Sequence, residues 1–505
     1  MLVKNHDYYY LAKKNALPDA SERDRIYSKV KKGSRVHVAG VCGKAMASVA
    51  CMLKEYGCVV TGSDTAFFAP MSGVLDAHGI EKRYPSPDNL KGVDIVVVGN
   101  TLPHNAVEIV AARTRGIPMI SGGEVLGQIH GDKRSLVVAG THGKTTTSGL
   151  LTHVFMASQR IPAYMIGGVF QGSDDSYSMG SKESQFMIYE GDEYNCAFFD
   201  RGPKFLRYHP TSAIITSIEH DHVDLYPSFE DYKQAFQFLV EELLQDGVLV
   251  VHESTLPYLD LTRCKAKIVS YGACLSCAIS YNNMKTTDSG TAFSLQSTDW
   301  GTIEKVNIPL FGEYNVANAT AVAALSLYEG LSQAELLKAL EAFGGTKERQ
   351  ELLGIRSGDI AVIRDYAHHP TAVTVTLEGL KLRYQGRRLI VVFEPRSASS
   401  KRKVFEDRYA QSLAHADSVI VVFLPTSSNA TEVLDVSRVV SLIVEGGGDA
   451  HHTETFSSAL ELLVEKVRPG DVVVFMSSGD MDRVPFAFLK AASLDDAESF
   501  ARLPV

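Results

Sequence analysis

What these 505 residues lack narrows the field first. No apolar run approaches the length of a membrane span, and residues 1–32 are polar and rich in Tyr and Lys, without the apolar centre of a signal peptide. The expectation is a cytoplasmic chain with no membrane insertion. The seven cysteines (Cys42, Cys51, Cys58, Cys196, Cys264, Cys274, Cys277) are odd in number and scattered, which argues for reduced thiols and against a disulfide framework. Cys274-Leu275-Ser276-Cys277 has no second pair at zinc-ribbon spacing and reads as a surface turn beside Gly272. No block of Lys or Arg offsets the formal charge of −9, so a nucleic-acid surface is not expected and anionic ligands must be held locally. Glycine is also missing where a dinucleotide fingerprint beginning at Gly40 would need it, at Cys42 and Ala45. That disfavours a nicotinamide oxidoreductase.

What is present is a 45% hydrophobic chain long enough for about three domains. After an N-terminal extension at 1–33, whose Tyr8, Tyr9 and Tyr10 read as a packed arm, short apolar runs alternate with helical patterns. In the block 34–131 the runs at 35–39, 58–61, 94–98 and 118–120 predict strands of an open, mostly parallel sheet. The block 132–354 predicts strands at 186–189 and 213–216 and a β-rich stretch at 277–311, and the block 355–505 predicts strands at 360–363, 389–393, 418–422 and 471–475. The fold class is α/β throughout.

The most informative stretch is Val137-Val138-Ala139-Gly140-Thr141-His142-Gly143-Lys144-Thr145-Thr146-Thr147. An apolar strand enters a glycine-bracketed turn, and a lysine and three threonines open a helix. Such a loop binds a nucleoside triphosphate: backbone N–H groups approach phosphate oxygens, the helix offers its positive end, Lys144 brings a charge, and Thr145 brings a hydroxyl for Mg²⁺. The general Walker pattern asks for glycine at 138, and Val138 stands there, so the loop is a shortened variant. The bland alternative is an ordinary strand-turn-helix junction. Two polar clusters follow strands in the same block, Glu190-Gly191-Asp192-Glu193 and Glu219-His220-Asp221-His222-Val223-Asp224. Ligand chemistry in parallel sheets collects at the carboxyl ends of strands, and Mg²⁺ asks for one or two carboxylates there. In the first block Gly40-Val41-Cys42-Gly43 leads into a helix and Thr61-Gly62-Ser63-Asp64 closes a strand with an acid, a nucleotide-type β-α-β unit or simply tight strand-helix packing.

In fixed order over nearly the whole chain, these motifs resemble the Mur ligase family, ATP-dependent amide-forming enzymes of cell-wall precursor assembly. The resemblance implies a Rossmann-like UDP-binding N-terminal domain, a central P-loop ATPase-like domain and a Rossmann-like C-terminal domain. It places ATP on Gly140, Thr141, His142, Gly143, Lys144, Thr145 and Thr146. Gly40, Cys42, Gly43, Ser63 and Asp64 are implied for the UDP sugar, and Thr145, Glu193 and His222 for the metal. Phe311-Gly312-Glu313-Tyr314-Asn315-Val316-Ala317-Asn318 is similar to the family's adenine segment with Tyr314 in place of histidine, so Asn318 is implied as the adenine contact and Asn315 is either a second contact or a helix cap. Arg349 matches an arginine that reaches the terminal phosphate, unless it is a surface charge at a helix end. Asp365, in Asp365-Tyr366-Ala367-His368-His369-Pro370, is implied on the ribose side. Lys144, Arg349 and His222 are the implied catalytic set, while His220 reads as a solvated histidine outside the metal set.

Four details favour one branch: the 29 positions separating Glu193 from His222, Gly40-x-Cys42-Gly43, Pro70-Met71-Ser72, and Glu394-Pro395-Arg396-Ser397. That branch joins UDP-N-acetylmuramate to the murein tripeptide L-alanyl-γ-D-glutamyl-meso-diaminopimelate through an acyl phosphate. Arg396 is the implied peptide-carboxylate contact. The alternative branch adds L-alanine alone, and an NTP-hydrolysing switch is the rival of another class. Met476-Ser477-Ser478-Gly479-Asp480-Met481-Asp482 and Arg364 depart from the family pattern.

Overall fold

Strands buried on both faces need apolar side chains at nearly every position, and parallel sheets sandwiched by helices impose that demand. The runs Ile95–Val98, Leu389–Glu394 and Val472–Ser477 meet it, each with every residue buried. A computed structural model describes residues 20–170, 173, 175–223, 225–397, 399–424 and 433–490. Tyr8, Tyr9, Tyr10 and Asp224 lie outside the described residues.

The chain divides into two compact units, 1–281 with 295–303 and 318–343, and 282–294 with 304–317 and 344–505. The first unit contains a five-stranded sheet of β1 (Arg35–Ala39), β2 (Val59–Ser63), β3 (Glu81–Arg83), β4 (Ile95–Val98) and β5 (Met119–Ser121), ordered β3-β2-β1-β4-β5 and parallel throughout. This order reverses at β1, so the turn after β1 faces a topological switch point, where such sheets bind ligands.

A second sheet uses β6 (Arg134–Ala139), β7 (Ala163–Met165), β8 (Tyr177–Ser178), β9 (Phe186–Glu190), β10 (Ser212–Ile215), β11 (Val248–His252) and β12 (Lys267–Gly272) in the order β12-β11-β10-β6-β9-β7-β8. β13 (Ile279–Thr287), β14 (Gly290–Ser297) and β15 (Gly301–Ile308) extend that order beyond β12. β6 lies between β9 and β10, so the phosphate-type loop after β6 is flanked by the polar clusters that follow those two strands. Val138 is fully buried inside β6, which explains why the missing Walker glycine costs the loop nothing: the turn begins two residues later.

The second unit carries β16 (Glu351–Arg356), β17 (Ile360–Asp365), β18 (Leu389–Glu394), β19 (Ser418–Val422), β20 (Ala450–Thr453) and β21 (Val472–Ser477), ordered β16-β17-β21-β18-β19-β20. Only β16 is antiparallel, and it starts at Glu351, ahead of position 355. Apolar side chains cover both faces of this sheet, with Val391, Val421 and Val474 on one and Ile390, Ile420 and Val473 on the other.

Candidate active site

Three helices in the first unit use a serine to satisfy their first N–H groups. Capping boxes at Ser121, Ser228 and Ser332 do this for Gly122–Ile129, Phe229–Glu242 and Gln333–Glu341. The helices Lys44–Tyr56 and Lys144–Ala157 start instead at Gly43 and Gly143, and neither has a side-chain cap. Their N–H groups and positive dipole ends therefore remain available to an anion.

Around the second helix start the loop is tightly determined. Gly140 has φ 134°, and a Cβ there would lie 2.1 Å from Thr216 Oγ1, so only glycine fits. The Thr216 hydroxyl donates to the His142 carbonyl at 2.6 Å, the His142 amide donates to Ser217 Oγ at 2.9 Å, and the Glu219 amide donates to Thr141 Oγ1 at 2.9 Å. The His142 ring meets Glu219 Oε2 at 2.8 Å. At Gly143 a Cβ would come within 2.8 Å of Asn318 Oδ1, which places the buried Asn318 amide against the loop. Thr146 is buried beside Thr145 in the first helical turn.

Lys144 Nζ donates to the Gly140 carbonyl at 2.6 Å and to both oxygens of Glu193, at 2.9 and 3.0 Å. Burial works against its charge, but Glu193, Glu190 and Asp192 outweigh that and hold the ammonium above its ordinary range. Asp192 is half-buried, and Lys204 at 2.6 Å overcomes the desolvation, holding the carboxyl down to about 2. His222, in a left-handed conformation at φ 49°, sets its ring against Tyr194 at 4.5 Å, tilted by 59°, and brings Nε2 to 3.8 Å from Glu193 Oε2. Its Nδ1 is buried and has no hydrogen-bond partner among the described residues. The buried Glu193 carboxylate and the His222 Nε2 that faces it fit a cation, and the carboxylate oxygens suit Mg²⁺.

Thr145 meets the first acid of the same cluster. Its hydroxyl donates to Glu190 Oε1 at 2.9 Å, not to Glu193. Glu190 also accepts the Gly167 amide at 2.6 Å and the Ser148 hydroxyl at 3.4 Å, and a Cβ at Gly167 would lie 2.6 Å from its Oε1. Lys44 Nζ, at the start of the other uncapped helix, donates to the Gly167 carbonyl at 2.9 Å. A chain of hydrogen bonds thus runs from the first glycine turn to Thr145. Glu190, named in the sequence only as part of its cluster, and Gly167 and Lys44, which the motifs do not single out, are what join the two turns. The Gly167-Gly168 pair directly after a short strand was the available signal. His220 turns away from the metal set, its Nε2 meeting the Tyr226 carbonyl at 2.8 Å.

At the first turn, Gly40 (φ 79°) and Val41 donate their amides to the Ser63 carbonyl, and Cys42 donates its amide to Asp64 Oδ2 at 2.8 Å. The Ser63 hydroxyl points inward and donates to Glu108 at 2.6 Å within a buried network that includes His37 and Asn89. Ser63 and Asp64 therefore hold the shape of the turn that ends at Gly43. The long segment after Glu193 does not extend into solvent: Ala197, Phe198 and Phe199 pack on the first sheet with Ala39, Val96 and Ile109. A buried bidentate pair, Arg207 to Asp200 at 2.7 and 2.6 Å, holds its base.

In the second unit Arg349 lies over the Tyr366 ring at 4.5 Å. The buried Asp365 accepts the amides of Gln350 and Ala367, both at 2.7 Å, and burial raises its carboxyl despite Arg349 nearby. His369 caps the Pro370–Arg383 helix through Thr371, while the His368 ring turns back to the Tyr366 carbonyl. Asn315 lies inside the Glu313–Tyr328 helix, not ahead of it, and donates to the Phe311 carbonyl at 2.8 Å. Half-exposed Arg396 has Glu394 and Asp480 each at 3.8 Å, and Gly479 leaves room for its side chain, since a Cβ there would lie 2.5 Å from Arg396 Cδ.

Three family descriptions match the chain in order: Mur ligase family, catalytic domain over 35–134; Mur ligase middle domain over 138–326; and Mur ligase, glutamate ligase domain over 348–479. The UDP-N-acetylmuramate–L-alanyl-γ-D-glutamyl-meso-2,6-diaminoheptandioate ligase of Escherichia coli K12 is 31% identical, covering 88% of this chain and 95% of its own. The chain belongs to the Mur ligase family. It is an ATP-dependent ligase that forms a C–N bond, with the three-domain α/β fold of that family. A UDP-N-acetylmuramate–L-alanine ligase of Lactiplantibacillus plantarum is 32% identical over 90% of this chain and 97% of its own. Among solved structures, a murein peptide ligase from Psychrobacter arcticus matches at TM-score 0.67 and 28% identity, covering 91% of this chain and all of that one.

Proposed function

We propose that this ligase activates the lactyl carboxylate of UDP-N-acetylmuramate with ATP and couples it to the tripeptide L-alanyl-γ-D-glutamyl-meso-diaminopimelate. One observation carries the reading: a charged lysine at an uncapped helix start, held by buried Glu193 and the Gly140 carbonyl. A carboxylate oxygen of the sugar attacks the γ-phosphorus, the bond to ADP breaks, and an acyl phosphate forms. The alanine amine then attacks the carbonyl, loses a proton and expels phosphate. No covalent protein nucleophile is needed. Catalysis of such a transfer is chiefly positioning and charge neutralisation.

Lys144 in this reading exchanges Glu193 for phosphate oxygens, and the loop amides and Thr145 receive the rest of the triphosphate, with Asn318 toward the adenine. Glu193, His222 and Thr145 would hold Mg²⁺, which supplies charge neutralisation on the triphosphate. Arg349 and Asp365 serve the terminal phosphate and ribose. Gly40, Cys42 and Gly43 cradle the UDP moiety on a turn fixed by Ser63 and Asp64, and Arg396 receives a peptide carboxylate. The tripeptide is favoured over free alanine by the long segment at 193–222 and by the peptide substrate named in the E. coli relative. L-Alanine is the second reading, because a relative of that activity is as similar.

The test is phosphate release with ATP, Mg²⁺ and UDP-N-acetylmuramate, adding tripeptide or L-alanine. The proposal expects turnover with the tripeptide. Turnover with alanine alone moves the chain to the other branch, and hydrolysis indifferent to either acceptor would mean an NTP-hydrolysing switch.

A further inference from the structure

Away from the nucleotide turns, Cys274 and Cys277 occupy opposite ends of the turn joining β12 to β13. The Cys277 amide donates to the Cys274 carbonyl at 3.0 Å, closing a four-residue turn with Leu275, 75% exposed, at its tip. A turn closed in this way keeps its end Cα atoms within about 7 Å, overlapping the roughly 4.4–6.8 Å range that a disulfide bridges. The two cysteines differ in surroundings. Cys274 is exposed, with Ser276 Oγ 3.1 Å from its sulfur, whereas Cys277 is buried. Both are tied to one carboxylate: the Cys277 thiol donates to Glu253 Oε2 at 3.5 Å, and the same oxygen accepts the Cys274 amide at 3.1 Å. Glu253 Oε1 also accepts the Ala273 amide at 2.9 Å, which fixes the approach to the turn.

We propose that Cys274 and Cys277 form a redox-active dithiol that reduces low-molecular-weight disulfides by closing a reversible bridge across this turn. Cys274 attacks one sulfur of the small disulfide, breaking its S–S bond and releasing one thiolate. Cys277 then attacks the Cys274 sulfur, its proton passing to the Glu253 carboxylate, and the second thiolate leaves. Two protein thiols lose two electrons and two protons, and one small disulfide becomes two thiols. The division of labour follows from the surroundings. Hydrogen bonding from Ser276 lowers the Cys274 thiol below its ordinary range, while burial first and Glu253 second push Cys277 up to about 12. The attacking sulfur is thus the exposed one, and the resolving sulfur has an acceptor for its proton. A loop this short gives the bridge little entropic stabilisation, so thiols reopen it readily.

The experiment treats the full-length folded protein with an aromatic disulfide, follows released aromatic thiol, and locates products by peptide mass. The wild type should release two equivalents in one fast process and end with a Cys274–Cys277 bridge and no adduct, reversible by dithiothreitol. Cys277→Ser should release one equivalent and keep a stable adduct on Cys274, and Cys274→Ser should lose the fast process. A persistent adduct on wild-type Cys274, or Cys274 reacting no faster than half-buried Cys264, overturns the proposal.

Discussion

Replacing Gly167 by alanine tests the link between Glu190 and the phosphate loop more sharply than removing Glu190, because it adds a single methyl group. The new Cβ would lie 2.6 and 2.8 Å from the two carboxylate oxygens of Glu190, and the Gly167 backbone is outside the left-handed region, so the clash is purely steric. Restoring ordinary contact near 3.4 Å requires the carboxylate to retreat by roughly 0.6–0.8 Å. That lengthens the 2.6 Å bond from the Gly167 amide beyond a good hydrogen bond and turns the acceptor away from Thr145 Oγ1, now 2.9 Å away. The end of a glutamate side chain moves cheaply, so the stability loss should be about 1–2 kcal/mol, within the value of one hydrogen bond to a charged group. A displacement near 1 Å at a reacting site costs about 10²-fold in rate, or roughly 2.7 kcal/mol. Gly167→Ala should therefore remain folded, with its urea midpoint lowered by roughly 0.5–1 M. Its kcat/KM for ATP should fall tenfold to a hundredfold, and it should need more Mg²⁺ for half-maximal turnover. Wild-type kinetics and Mg²⁺ dependence in a folded variant would refute the role given to Glu190.

Lys144→Ala should abolish phosphate release while leaving UDP-N-acetylmuramate binding by calorimetry unchanged, and loss of both would refute the separation of the two glycine turns. Arg207→Ala leaves the buried Asp200 carboxylate unpaired and should cost about 3–5 kcal/mol in urea unfolding; a loss below about 1 kcal/mol would show that the pair does not hold the 193–222 segment. Burial pushes His130 down to about 4, from about 6.5 in the unfolded chain, so the unfolded state binds the extra proton between those values. The associated stability, about 3 kcal/mol, should be complete above pH 6.5 and disappear as pH falls through 4. His130→Gln should flatten that part of the urea midpoint against pH, and a slope equal to the wild type's would refute the assignment.

The sequence alone determined the α/β alternation, since strands buried on both faces demand continuous apolar runs, and it determined the phosphate-type loop, since a glycine–lysine turn at a strand end has few other uses. It placed β1 and β19 at their observed bounds because the apolar runs start sharply at polar residues there and the first ends at Gly40. It missed β3, β16 and β20 at sheet edges, where only one neighbouring strand needs satisfying and the apolar signal weakens, and it also missed the apolar internal strand β11. Tertiary structure alone decided which acid meets which hydroxyl. Glu190 and Glu193 are three positions apart at a strand end, and their directions follow from how the strand terminates; one turns to Thr145 and the other to Lys144. The same holds for Ser63, whose hydroxyl is drawn inward by Glu108 from 45 positions away, and for Phe198 and Phe199, which pack on the first sheet. Local pattern records what a backbone segment must be. Contacts between distant segments depend on the space left when the sheets are packed, and no short window of residues contains it.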